Sequence, residues 1–115
     1  AAARLLLEAR AEVDRANNNG ATPLWVAAWK GQDAAARLLP EARAEVDRAN
    51  NNGATPLHVA AGKGQEAAAR LLLEARTEVD RANNNGATPL FVAAQMGQDT
   101  AARLLLEARA EVDRA

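Results

Sequence analysis

The string NNNGATPL begins at Asn17, Asn50 and Asn83, so the chain repeats itself every 33 residues. Three full units follow one another, residues 17–49, 50–82 and 83–115, behind a half unit, residues 1–16, that matches the second half of each. The first unit differs from the second at five positions and from the third at another five. A period of this length predicts a solenoid, because one supersecondary unit cannot bury its apolar face alone and must stack on neighbours. Composition agrees: hydrophobic residues reach 49% but aromatics only 3%, so the apolar content is mostly Ala and Leu, which lets thin helices approach closely.

Several function classes fall away at this level. Fourteen basic residues against fifteen acidic ones leave a net charge of −1, with no basic excess for a nucleic acid and no basic amphipathic face for a membrane. Cysteine is absent, which fits an intracellular, cytoplasmic setting. No apolar run approaches the roughly 20 residues that span a bilayer, and no signal peptide is visible. The chain starts in mid-repeat without Met, and is expected to be a piece of a longer array or a processed product.

One unit reads as helix, turn, helix, extended arm. In the first, Ala16-Asn17-Asn18-Asn19-Gly20 is turn chemistry, since Asn tolerates and Gly freely enters the left-handed region. Thr22-Pro23 starts a helix, with the hydroxyl as cap and Pro at its first position, and Gly31 stops it. Gln32-Asp33 opens a second helix, with Asp33 at the positive end of its dipole and Ala35, Ala36, Leu38 and Leu39 as its apolar stripe. Asp33–Arg37, Glu66–Arg70 and Asp99–Arg103 are acid-before-base pairs four apart.

Gly53-Ala54-Thr55-Pro56-Leu57-His58-Val59-Ala60-Ala61, followed by Gly64 and Leu71-Leu72-Leu73, resembles the ankyrin repeat, and the other units keep most of it. The resemblance covers the whole chain. It implies an all-α solenoid of antiparallel helix pairs joined by β-turn and hairpin arms, and protein binding through the turn tips and the concave helix surface. Three departures stand out. Arg10, Arg43, Arg76 and Arg109 stand where the family has Gly after the second helix, which costs on the order of 1 kcal/mol each if the backbone there is left-handed. Gln32, Gln65 and Gln98 replace a His. Pro40 stands where the other copies have Leu7, Leu73 and Leu106.

No catalytic residue, cofactor or metal site is assembled by these residues. His58, the one histidine, has no Cys, second His or carboxylate at ligand spacing, and reads as a hydrogen-bonded helix-start residue. The oxygen-rich stretch from Asp47 to Gly53 lacks the carboxylate an EF-hand loop needs at its twelfth position, which here is His58. The informative positions are those where near-identical units disagree. Trp25, His58 and Phe91 form one column; Trp29, Gly62 and Gln95 a second; Lys30, Lys63 and Met96 a third. Trp25 and Trp29, four apart, share a helix face. The expectation is a non-catalytic protein-binding scaffold using the first-helix face, with Trp25, Trp29, Lys30, His58, Lys63, Phe91, Gln95 and Met96 as candidate partner-binding residues. Trp25 also reads as a packing residue. The alternative is an engineered or structural repeat array with no dedicated ligand. The lack of polar capping repeats further predicts head-to-tail self-association, with Leu5 and Leu6 at the contact.

Overall fold

The computed structural model describes residues 12–114, with side chains as far as Arg109. Among the described residues six full helices follow one another: α1 (Pro23–Lys30), α2 (Asp33–Glu41), α3 (Pro56–Lys63), α4 (Glu66–Glu74), α5 (Pro89–Gln95) and α6 (Asp99–Arg114). They stack in two layers. The first helices α1, α3 and α5 pack side by side, and so do the second helices α2, α4 and α6, each pairing with its own first helix.

Each first helix begins on the same device. The hydroxyls of Thr22, Thr55 and Thr88 accept from the N–H of Trp25, His58 and Phe91 at 3.3, 3.3 and 3.2 Å, and Pro takes the first helical position, where a missing N–H costs nothing. α1 and α3 end at Gly31 and Gly64, with φ of 70° and 69°. Before each helix an Asn folds the turn onto itself. The Oδ1 of Asn17, Asn50 and Asn83 accepts two backbone N–H groups, so these oxygens are committed to the turn and not to a cation.

The core is thin and made of small side chains. Leu24, Leu57, Leu72 and Leu105 are fully buried among Ala27, Ala28, Ala60, Ala61, Ala68, Ala69, Ala93 and Ala101. Leu38 departs from the expected stripe and is 61% exposed. The column of Leu38, Leu71 and Leu104 faces the preceding second helix, so α2 and α4 cover the last two, while Leu38 lies on the side of α2 away from α4. Of the three acid–base pairs only Glu66–Arg70 closes among the described residues, at 3.1 Å, because Glu is one methylene longer than Asp. Both side chains are half exposed, so the pair adds a few tenths of a kcal/mol.

Arg43 and Arg76 carry φ of 69° and 65°, the only described non-glycine residues in the left-handed region. Arg43→Gly or Arg76→Gly is therefore expected to stabilise the fold by about 0.5–1 kcal/mol, read as a higher urea midpoint at unchanged slope. A lower midpoint would mean that the flexibility glycine adds to the unfolded chain outweighs the relieved strain. Arg10 lies outside the described residues.

Arg109 breaks the pattern. Residues 107–114 have the same sequence as residues 41–48, yet they continue α6 to Arg114 where the earlier copy leaves the helix at Ala42. The inner arms are held by neighbours. Asp14 accepts from the Glu45 N–H at 3.0 Å; Asp47 accepts from the Glu78 N–H at 3.1 Å and from the Thr77 hydroxyl; Arg81 donates to the Asp47 carbonyl at 3.1 Å. Each inner arm also feeds a turn that docks on the turn before it. Among the described residues no turn follows α6, and the helix-forming sequence then avoids a left-handed Arg.

The same difference orders chemical ageing. In Asn-Gly pairs the Gly nitrogen attacks the Asn side-chain carbonyl and expels ammonia. The carbonyls of Asn19 and Asn52 are each held by the next turn, accepting from the Asn51 and Asn84 N–H at 3.0 and 3.1 Å. Asn85 has no such clamp among the described residues, and its turn is exposed. Peptide mapping after mildly alkaline incubation is expected to show Asn85 converting before Asn19 and Asn52; the reverse order would remove the clamp as the cause.

Candidate partner-binding face

The eight candidate residues lie on or at the end of the first helices, but they do different jobs. Trp25 is half-buried, and its indole Nε1 donates to the Ala54 carbonyl at 3.0 Å, 29 residues on. His58, one unit later, does the same. Its Nε2 lies 2.8 Å from the Ala87 carbonyl, again 29 residues on, while Nδ1 lies 3.0 Å from the Thr55 N–H. A carbonyl only accepts and an amide N–H only donates, so the ring is the neutral tautomer with its proton on Nε2. Burial, foremost, keeps its pKa below the ordinary 6.5, with the Arg81 charge adding to the depression and the bond to Ala87 opposing it. With 2% of its surface exposed, His58 leaves the partner-binding set. It is a joint between units and a reciprocal helix cap.

This column therefore follows one rule. Trp and His both supply a ring N–H where a turn follows to receive it, and Phe91, which has none, stands where no described unit follows and is 59% exposed. The sequence carried that signal in the shared N–H, though reading the column as surface variation misses it. The glutamines join the units as well. Gln65 Nε2 donates to the Trp29 carbonyl at 3.0 Å and Gln98 Nε2 to the Gly62 carbonyl at 3.1 Å, tying each second helix's start to the end of the preceding first helix.

What remains accessible is a smaller set spread over the ends of the three first helices. Trp29 is 41% exposed and Met96 57%, and Lys30, Lys63 and Gln95 are exposed beside them. Trp25 and Trp29 stack at 6.3 Å between ring centroids, tilted by 47°, and the Lys30 ammonium lies 5.7 Å from the Trp29 ring centre, within cation–π reach. A groove runs between this face and the Asn turns, lined by Trp25, Ala54, Val59, Gly62, Lys63 and Met96. Gly62 makes its floor, since a Cβ there would come within 2.8 Å of Val92. α1, α3 and α5 carry two lysines and no carboxylate, whereas the second helices carry the acids.

Among the described residues no group of three or more His, Cys, Asp or Glu side chains could hold a metal, and no helix is long and apolar enough to cross a membrane. The family model described as ankyrin repeats (3 copies) matches residues 38–115, and the one described as ankyrin repeat matches residues 19–51. No curated protein matches the chain significantly.

Proposed function

The chain belongs to the ankyrin repeat family, whose repeats are generally non-catalytic protein-interaction modules, and from that premise we propose that it binds a protein through the accessible part of the first-helix face. Trp29, Lys30, Lys63, Gln95 and Met96 form the contact, Phe91 extends it, and Trp25 backs Trp29 from within. The observation that carries this reading is the exposure of Trp29 and Phe91 on first helices, and of Met96 at the end of one, where the structural work is done by other residues. Large apolar side chains held on rigid helices are what binding hot spots are made of. The two lysines, with no acid on the same helices, favour a partner segment that sets a carboxylate beside an apolar anchor.

The test compares capture by the wild-type chain with capture by Trp29→Ala/Met96→Ala and by Leu38→Ser, whose exposed leucine lies on a second helix. Only the first variant is expected to lose bound protein, by tenfold or more if Trp29 is a hot spot worth about 2 kcal/mol. Equal capture by all three, at equal urea midpoints, would favour an array with no dedicated ligand.

A further inference from the structure

The end-to-end contact expected at Leu5 and Leu6 lies outside the described residues, whereas the groove on the first-helix face lies wholly within them. It encloses about 320 Å³ between α3, the next unit and the turns at Asn50 and Asn83. Val59, Gly62 and Val92 make an apolar floor, with Trp25 of the unit before and Met96 of the unit after at its sides. The groove exists because one side chain is missing from the middle of a row: the column of Gly62 carries Trp29 in the first unit and Gln95 in the third. Val92 leans into part of that space, since a Cβ on Gly62 would meet its Cγ1 at 2.8 Å.

Most polar groups around the groove are already engaged. The Trp25 indole donates to Ala54, both ring nitrogens of His58 have backbone partners, and the Oδ1 atoms of Asn50 and Asn83 each accept two N–H groups. What is left over donates. The Nδ2 groups of Asn50 and Asn83 and the Lys63 ammonium have no partner among the described residues, and neither has the indole N–H of Trp29 nearby. Asn52 adds an exposed amide with a donor and an acceptor. Lys30 lies over the Trp29 ring, so Lys63 is the ammonium left for a ligand, and α1, α3 and α5 carry no carboxylate to meet it. An apolar floor inside a rim of N–H donors complements an apolar side chain set among acceptors.

We propose that this groove takes an extended peptide segment of the partner in which a large aliphatic residue stands next to Asp or Glu; the proposal rests on the partner-binding reading above and names what that face selects. The aliphatic side chain sits over Gly62, the carboxylate meets Lys63, and backbone carbonyls of the segment accept from the Asn50 and Asn83 amides. A helical segment does not fit this rim, because its carbonyls are engaged by its own N–H groups. Gly62 makes the second unit the receiving one, since a side chain there takes the seat, as Trp29 and Gln95 do in their own units.

The test selects binders to the 115-residue chain from a library of short random peptides and measures the winners, labelled, by fluorescence anisotropy. Enriched sequences are expected to join Leu, Ile or Met to an adjacent Asp or Glu. Gly62→Gln and Lys63→Met place in the second unit the side chains that the third carries at the same positions, and urea midpoints check that both fold. Gly62→Gln is expected to weaken binding roughly tenfold or more by filling the seat, and Lys63→Met about threefold by removing the charge. Exchanging the peptide's acid for its amide is expected to cost the wild type that same factor and Lys63→Met nothing, which ties the carboxylate to Lys63. Selected peptides without an acid, or ones that ignore Gly62→Gln and Lys63→Met but are lost from Trp29→Ala/Phe91→Ala, would overturn the proposal while leaving the partner-binding face standing. No enriched sequence, or peptides indifferent to all of these variants, would overturn it as well; capture by Trp29→Ala/Met96→Ala separately decides the reading it rests on.

Discussion

Pro40→Leu is expected to raise stability by about 1–3 kcal/mol, seen as a higher urea midpoint at unchanged slope. Pro40 is the eighth residue of α2, and α2 nevertheless covers the same nine-residue footprint as α4. The end of the helix survives: Ala42 donates to Leu38 at 2.9 Å and Ala44 to Leu39 at 2.9 Å. The penalty is therefore local. Proline has no N–H for the carbonyl of Ala36, one turn back in a fully buried residue, and an unmade bond there costs on the order of 1–3 kcal/mol. Packing adds to it. Pro40 lines an open groove with Ala36, Val46, Leu71 and Ala75, whereas Leu73, its counterpart, packs against the core. Leucine restores the bond and fills the groove. An unchanged midpoint would show that the surrounding backbone has already adapted to proline.

His58→Ala is expected to cost about 1–3 kcal/mol, since it strips a part-buried acceptor at Ala87 and a buried donor at Thr55 of their partner at once. His58→Trp is the informative companion. Trp25 shows that an indole can reach the matching carbonyl, so this variant is expected to keep the joint while losing the bond to Thr55. The two side chains also separate in their response to acid. The folded chain holds His58 neutral, with its pKa below 6.5, while the unfolded chain protonates it normally. Unfolded protein thus binds more protons, and the contribution of His58 is complete above about pH 6.5 and lost as pH falls from there through the lower folded value. Protonation places a second N–H on Nδ1, against the Thr55 N–H. The stability difference between wild type and His58→Trp is expected to shift in favour of tryptophan between pH 7 and pH 5. Parallel profiles would mean that the ring is not buried neutral.

The layout of helices was legible because its signals are local. Thr-Pro starts and Gly stops act within a few residues of themselves, and α1 and α3 begin and end on them. The left-handed arginines were legible through the family resemblance, and Arg43 and Arg76 adopt that conformation. What one unit does to the next was harder to read. Trp25, His58 and Phe91 look like a variable surface column, yet two of the three are joints, and only the carbonyls 29 residues away reveal it. Leu38 reads as core by periodicity, but burial needs a neighbour on the correct side. The clearest limit is the string shared by residues 41–48 and 107–114. One sequence forms an arm in one place and helix in the other, so no reading of those residues alone could have separated them.

The ring N–H bonds also set the order in which the array comes apart. A stack of repeats is a row of nearest-neighbour couplings, and it unfolds as one body only while each coupling outweighs the instability of a lone unit. Residues 17–49 are tied to the next unit by an indole, which does not titrate in this range. Residues 50–82 are tied onward by an imidazole, which does. Mild acid thus loosens one link of the chain and spares the other. In mild acid the segment from Asn83 onward is therefore expected to fray before the two units ahead of it, which calorimetry would show as an unfolding transition that broadens or divides between pH 7 and pH 5.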